Sequence, residues 1–284
     1  MAGSGQRFVD AGYTNPKPLI KVGGKMIVEY VIDMFERDVD RFIFIVNEDH
    51  YKKYDMESVL HRLARNVDIV QMEPHKKGPV YTVLAASRYI VDTEPCIVAY
   101  CDNPVTWNYN SFKQMMCNMS IDGGIISHTG FHPHTLSDTL FAYSKTDRFG
   151  WVSEIKEKSC YTNNRFTEHA SSGIYYFRYG HLVKKYFKQV INENLNYHGE
   201  YYVTLVYNLL IRDGLRVFSY LNDKVLAFGT PREVQNYEAW QTILKGGQVH
   251  NEEELVACYN YWKDYGKETA YSASWQLLRA SKEP

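Results

Sequence analysis

FIFIV at residues 42–46, VDIVQM at 67–72 and CIVAYC at 96–101 are the three stretches that decide the fold of this chain. Each has the length of a strand, and the first is apolar throughout, as expected of a strand buried on both faces. Apolar residues recur at helical spacing between the first two stretches, and residues 80–90 predict a second helix. This alternation predicts parallel strands joined by right-handed crossovers.

Composition and charge exclude several classes of protein. The 284 residues include 32 Lys+Arg and 33 Asp+Glu, so the formal charge is −1 and argues against a protein that coats nucleic acid. No apolar run reaches the roughly 20 residues that span a bilayer, and residues 1–10 are too polar for a signal peptide. Five cysteines without a C-x-x-C pair indicate reduced thiols. We therefore expect a cytoplasmic protein that binds neither nucleic acid nor membrane.

The pattern changes after residue 123, where short β-type runs separated by loops predict antiparallel additions at the edge of the sheet. Helical patterns return at residues 181–192 and 200–212, and TPRE at 230–233 is typical of a helix start, with a Thr cap and Pro at the first position. We assign residues 1–246 to one domain. Residues 247–284, rich in Tyr and Trp, would form a helical extension that packs on this domain or makes a homodimer contact.

GSGQRF at residues 3–8, followed by NPKPL at 15–19, carries the strongest functional signal. Two glycines let backbone N–H groups approach phosphate oxygens, and Arg7 and Lys17 add fixed positive charge. No Gly-Lys-Ser/Thr follows and Gly-x-Gly-x-x-Gly is not completed, so neither a P-loop nor a dinucleotide fingerprint is present. The two segments predict a phosphate-binding loop of another kind.

Together with GKMI at residues 24–27, these segments resemble the sugar-phosphate nucleotidyltransferase family, which activates sugar 1-phosphates with nucleoside triphosphates. The family has an additional proline within the third segment. The resemblance runs from residue 1 to about residue 237 and implies an α/β enzyme with a Rossmann-like mixed, mainly parallel sheet flanked by helices. It also implies that a first strand, which precedes the glycine loop in the family, is missing from this chain.

The resemblance implies a role for individual residues. Asp102, after the strand at 97–101, matches the carboxylate that binds Mg²⁺, and a carboxylate at the carboxyl end of a parallel strand faces the ligand crevice of such folds. Three residues would be catalytic, namely Arg7, Lys17 and Asp102. The nucleoside triphosphate would contact Gly3, Ser4, Gly5, Arg7, Gln71 and Gly78. The phosphorylated acceptor would contact Glu157, Lys158, Gly173 and Glu200.

One stretch departs from the family. Thymidylyltransferases carry a second metal-binding aspartate just before a Gly-Thr pair, whereas residues 226–230 here read LAFGT, and Asp223 has a different spacing. His132 and His134 indicate surface or acceptor-pocket positions more than a metal site. Three hypotheses therefore stay open. They are nucleotidyl transfer to a phosphorylated sugar for surface-glycan or capsule precursors, cytidylyl transfer to a phosphorylated alcohol or amide, and a nucleotide-binding regulatory module without catalysis.

Overall fold

A computed structural model describes residues 1–3, 5–130 and 141–244. Its helices are α1 (Gln6–Asp10), α2 (Ile27–Ile32), α3 (Glu48–Lys53), α4 (Met56–Leu63), α5 (Pro79–Ala85), α6 (Tyr109–Asn118), α7 (Gly180–Asn192), α8 (Val203–Arg212) and α9 (Pro231–Leu244). Its strands are β1 (Lys21–Val22), β2 (Lys25–Met26), β3 (Arg41–Asn47), β4 (Asn66–Met72), β5 (Cys96–Ala99), β6 (Val105–Thr106), β7 (Gly123–His128), β8 (Tyr143–Thr146), β9 (Val152–Lys156), β10 (His169–Phe177), β11 (Val217–Leu221) and β12 (Lys224–Val225). Ser4, His132, His134 and the proposed extension at 247–284 lie outside the described residues.

The central sheet is mixed, as the sequence predicts. Its six strands run in the order β11-β7-β10-β8-β9, with β5 also paired to β10. β10 is antiparallel to β5, β7 and β8, whereas β11 is parallel to β7. It follows that β5, β7, β8 and β11 share one direction, and β9 and β10 run the other way. β3 and β4 form a separate parallel pair, so the hydrogen-bonded ladders are less parallel than the alternation of elements alone suggests.

β10 carries two strands on one of its edges. β5 pairs with residues 174–177 of β10, and β8 pairs with residues 169–170. We call residues 171–173, which lie between these two ladders, the fork. At the fork Tyr100 donates its backbone N–H to the Gly173 carbonyl at 2.9 Å, and Ser171 donates to the Ala142 carbonyl at the same distance. The fork thus separates a β5 branch from a β8–β9 branch.

Helices cover both faces of the central sheet. Alternate residues of β10 point to opposite faces, so Phe177 packs with Tyr207 of α8 while Tyr176 packs with Phe112 of α6. α7 completes the first layer, and its apolar face is buried along Val183, Phe187 and Val190. A sheet apolar on both faces, held between two helical layers, is the α/β architecture predicted from the sequence.

Two details position the functional loops. α8 begins at Val203, not at residue 200 as its apolar pattern predicts, because Tyr201 pairs its backbone with residues 77 and 80 and Tyr202 is extended. Asn208 of α8 accepts from the Ile155 N–H and donates to the Ile155 carbonyl, each at 2.9 Å. These bonds fix the edge strand β9 against α8.

Candidate active site

The carboxyl ends of β5, β7 and β11 meet at one edge of the sheet because these strands share a direction. Asp102 follows β5 at this edge. The Phe228 N–H donates to the Asp102 carbonyl, and the Leu226 N–H donates to the Pro104 carbonyl, both at 2.8 Å. The 226–230 segment is therefore held against the strand end that carries Asp102.

Lys17 and Asp102, 85 residues apart in sequence, form an ion pair in which the Lys17 Nζ donates to Asp102 Oδ2. Both side chains are about one-fifth exposed, at 21% and 20%. Burial lowers the pKa of Lys17, but the charge and hydrogen bond of Asp102 outweigh it and the net pKa is raised. Lys17 therefore stays a cation, which is what a phosphate-binding group requires.

The glycine loop lies beside this pair. Gly5 has a φ of +66°, which favours glycine, and a Cβ placed on it would lie 3.8 Å from the Lys17 Cβ. Phe8 of α1 is buried in one cluster with Phe228 and Val234, so the loop is anchored next to the start of α9. Arg7 and Gly3 are exposed. The structure thus brings Gly5, Lys17 and Asp102 together.

Glu233, in the first turn of α9, is a carboxylate that sequence reasoning assigned only to a helix cap. The Thr230 Oγ1 donates to Glu233 Oε2 at 3.1 Å and accepts from the Glu233 N–H at 3.2 Å, which confirms the predicted cap. Burial and the charge of Asp102 raise the pKa of Glu233, against the lowering effects of the Thr230 hydrogen bonds and Lys17. Its proximity to Asp102 depends on the fold of the 226–230 segment, which the sequence does not reveal.

Asp102 fits a Mg²⁺ site by its chemistry and its surroundings. Its Oδ2 faces Gly229, where an added Cβ would lie 3.4 Å away, so the absent side chain leaves room at this oxygen. Among the residues that the structure describes, no three His, Cys, Asp or Glu side chains form a metal-binding group. Mg²⁺ commonly takes only one or two carboxylates and completes its shell with phosphate oxygens and water, so this donor set is sufficient.

Gln71 and Gly78, the predicted nucleobase contacts, have different surroundings. Gln71 is exposed on β4. Gly78 has a φ of +87°, and a Cβ on it would lie 2.6 Å from the backbone nitrogen and 2.8 Å from the carbonyl oxygen of Tyr201. Tyr201 donates to the Lys77 carbonyl at 3.0 Å and accepts from the Val80 N–H at 3.1 Å. Glycine is required at 78 by this close approach of two backbones.

The predicted acceptor residues form a second cluster, after β9. Glu157 is 9% exposed and accepts from the Thr204 hydroxyl of α8. Lys158 adopts a left-handed φ of +50°, which is unusual for a residue with a side chain, and donates to the Tyr202 hydroxyl at 2.9 Å. That hydroxyl donates to Glu200 Oε2 at 2.7 Å. Glu157, Lys158 and Glu200 are therefore brought together, and Thr204 and Tyr202 are members that the sequence analysis missed.

Gly173 lies between the two clusters, at the fork. With a φ of +80°, it would place a Cβ 3.1 Å from the Tyr100 ring and 3.2 Å from Asn103 Nδ2. Tyr100 packs edge-on against Tyr175, with ring centroids 5.4 Å apart. The phenol of Tyr175 interacts electrostatically with both Glu157 and Asp102. The Lys17–Asp102 cluster and the cluster after β9 thus adjoin across these tyrosines.

We expect a Glu157→Gln replacement to remove a pH dependence from the stability of the protein. Burial raises the pKa of Glu157 from 4.5 to about 7, although Thr204 and Lys158 lower it in part. In this window the folded state holds a proton that the unfolded state releases, so the free energy of unfolding falls as the pH rises from 4.5 through 7. The fall is about 3 kcal/mol. Glutamine does not ionise, so the Glu157→Gln protein should not show this fall in the free energy of unfolding.

Denaturant unfolding at about pH 5 and about pH 8 measures this difference for the wild type and the variant. Glu154→Gln is the matched control, because Glu154 is exposed on β9 and should retain the wild-type pH dependence. If the Glu157→Gln protein lost as much stability with rising pH as the wild type, the raised pKa of Glu157 would be contradicted.

None of the described helices is long and apolar enough to cross a membrane.

Comparison with known proteins places the chain in a family. A sequence model described as nucleotidyl transferase matches residues 1–280. The bifunctional protein GlmU of Staphylococcus epidermidis is 25% identical over 225 residues, which cover 75% of this chain and 44% of that protein. The GlmU of Clostridium tetani is 26% identical over 223 residues, covering 76% of this chain and 45% of that protein. The chain therefore spans less than half the length of these curated relatives.

Solved structures share the fold. The nucleoside-diphosphate-sugar pyrophosphorylase of Vibrio cholerae RC9 aligns with a TM-score of 0.68 at 20% identity, over 84% of this chain and 97% of that one. The inositol-1-phosphate CTP transferase of T. maritima aligns with a TM-score of 0.63 at 16% identity, over 86% and 94%. The fold class is confirmed, and with the match over residues 1–280 we conclude that this chain belongs to the nucleotidyl transferase family.

Proposed function

We propose that this protein transfers a nucleotidyl group from a nucleoside triphosphate to a phosphorylated small molecule and releases pyrophosphate. The observation that carries the proposal is the Lys17–Asp102 pair beside Gly5, at the carboxyl edge of the sheet. A cation, a glycine loop and a carboxylate at that edge are the parts that phosphate transfer assisted by Mg²⁺ requires. The family match supports the same chemistry.

The reaction is an in-line displacement. A phosphate oxygen of the acceptor attacks the α-phosphorus, the bond to the bridging oxygen breaks, and pyrophosphate leaves. The attacking phosphate needs no general base, because its second pKa is about 6 and it is largely ionised at neutral pH. Lys17 neutralises the α-phosphate region, and Arg7 and the backbone of Gly3 and Gly5 hold the leaving pyrophosphate. Mg²⁺, when bound at Asp102, supplies further charge neutralisation.

The acceptor would bind at the second cluster. Lys158 lies where it can pair with the acceptor phosphate, because its ammonium group is held by Tyr202 and stands 5.3 Å from the Tyr197 ring centroid. Glu157 and Glu200 offer carboxylate oxygens to hydroxyl groups of a sugar. We therefore favour a phosphorylated sugar as acceptor, for surface-glycan or capsule precursors made in the cytoplasm.

The same cluster supports the alternative, a cytidylyltransferase acting on a phosphorylated alcohol or amide. The Glu200 carboxylate and two tyrosine rings also suit a small polar or cationic acceptor. Residues 226–230 carry no carboxylate where the thymidylyltransferases have their second aspartate, and Ala227 and Phe228 in this segment are buried. The named activity of the T. maritima neighbour, an inositol-1-phosphate CTP transferase, is of this second kind.

An assay of pyrophosphate release tests both proposed enzyme activities. The purified protein is incubated with Mg²⁺, each of ATP, CTP, GTP, TTP and UTP, and a panel of sugar 1-phosphates, phospho-alcohols and phospho-amides. Release that requires one triphosphate and one acceptor, and disappears in Asp102→Asn, is expected. No release from any pair, by a protein that still binds a triphosphate, would refute the transferase and favour the regulatory module.

A further inference from the structure

Two carboxylates converge on Gly229. A Cβ placed on this glycine would lie 3.1 Å from Glu233 Oε2 and 3.4 Å from Asp102 Oδ2. The two oxygens are therefore no more than about 6.5 Å apart, the sum of these distances. No side chain separates them at this position, because residue 229 is glycine.

The backbone explains why Glu233 reaches this place. The Phe228–Asp102 hydrogen bond ties the segment before α9 to the end of β5, and the Thr230 cap then starts the helix. Glu233 is the third residue of α9, so its side chain extends back toward the start of the helix and toward Asp102. The route differs from that of an aspartate within residues 226–230, but it delivers a carboxylate to the same region.

Lys17 links the two carboxylates electrostatically. Asp102 pairs with it directly, and Glu233 also raises its pKa through charge. Two carboxylates and one ammonium give this group a net charge of −1, which attracts a divalent cation. A carboxylate has about four lone-pair sites, so the hydrogen bond from Thr230 leaves Glu233 able to bind a metal.

We propose that Glu233 is the second protein carboxylate for the divalent cation at Asp102, an inference that rests on the proposed function. It supplies from α9 the ligand that residues 226–230 lack. The assignment gives Glu233 a role in addition to the helix cap, and the two roles are separable by mutation.

Mn²⁺ is the probe, because free Mn²⁺ is measured directly by electron paramagnetic resonance in a titration of nucleotide-free protein. We expect Glu233→Gln to weaken Mn²⁺ binding about 10-fold or more, and Asp102→Asn to do at least the same. Glutamine is the other residue used in the capping box, so α9 should keep its start. The Mg²⁺ concentration that gives half-maximal turnover should rise by a similar factor in Glu233→Gln.

Two controls isolate the carboxylate. Thr230→Ala removes the cap and keeps the carboxylate, so it should bind Mn²⁺ within about two-fold of the wild type despite a loss of about 1 kcal/mol in stability. Glu238→Gln, on the same helix, removes a carboxylate that accepts a hydrogen bond from the Gly23 backbone, and should bind Mn²⁺ like the wild type.

The outcomes distinguish a failure of this inference from a failure of the proposed function. Normal Mn²⁺ affinity in Glu233→Gln, with affinity lost in Asp102→Asn, overturns the role of Glu233 and leaves the transferase standing. Normal affinity in both variants, or no Mn²⁺ binding by the wild type at millimolar concentration, overturns the metal site itself. A loss in Thr230→Ala equal to that in Glu233→Gln assigns the effect to the helix start and also overturns the inference.

Discussion

A Lys17→Ala protein is expected to turn over about 10³-fold more slowly than the wild type while it stays folded, since removing a single preorganised charge-stabilising group costs about this much. Lys17 is the cation that the fold brings to the glycine loop and to Asp102. Its positive charge is needed most when negative charge develops on the α-phosphate. The KM for the triphosphate should change less than kcat, because the proposed contacts of Arg7 and the loop backbone with the triphosphate are kept.

The stability of this variant separates a catalytic from a structural role. Because both side chains of the pair are about one-fifth exposed, the loss should be about 1 to 2 kcal/mol, between the values for exposed and buried ion pairs. Turnover is measured by pyrophosphate release and stability by denaturant unfolding. Lys188→Ala, an exposed lysine on α7, is the control and should match the wild type. Near-normal turnover in a folded Lys17→Ala protein would remove Lys17 from the mechanism.

Gly78→Ala should lower kcat/KM by about 10²-fold, the cost of misplacing reacting groups by about 1 Å. The new methyl group would overlap the Tyr201 backbone and break the two hydrogen bonds that join residues 77 and 80 to it. Glu200 and Tyr202 flank Tyr201 in sequence, so the acceptor cluster would shift with it. We therefore expect the KM for the acceptor to rise, although residue 78 lies on the predicted nucleobase segment.

Gly214→Ala is the control for an alanine at positive φ. Gly214 has a similar φ of +79°, but no atom lies within 4 Å of the position that its Cβ would take. Both variants place an alanine at a positive φ, and Gly78→Ala adds the contact with Tyr201 together with a ψ of 173° that side chains strongly disfavour. Steady-state kinetics with both substrates varied compares them. Equal effects of the two substitutions would show that backbone strain, and not the contact between the segments, is responsible.

Local patterns in the sequence predict most of the elements. The apolar runs at 42–46 and 67–72 are β3 and β4, and the Thr-Pro-Arg-Glu start of α9 is confirmed. Such signals depend on periodicity and capping, which a short window contains. The position of β10 in the sheet does not depend on such local signals, because its pairing with β5, β7 and β8 joins segments far apart in the chain.

The same distinction holds for the candidate site. Lys17 and Asp102 could be proposed from their motifs, and the structure places them in contact. Glu233 carried only the signal of a helix cap, because its approach to Asp102 depends on backbone bonds between residues 226–228 and 102–104. Likewise, Thr204 contacts Glu157 across 47 residues of sequence, and Asn208, one turn later on α8, binds β9. Tertiary contacts of this kind cannot be predicted from a short window of the sequence.

The fork in β10 has a consequence for how such a protein can change over generations. Asp102 follows β5 and Glu157 follows β9, so the residues proposed for the triphosphate and those proposed for the acceptor lie on different branches of the sheet. Mutations in the β8–β9 branch alter the acceptor cluster without disturbing the ladder between β5 and β10. The proposed acceptor preference can therefore change while the residues proposed for the triphosphate stay the same, because the two groups lie on different branches.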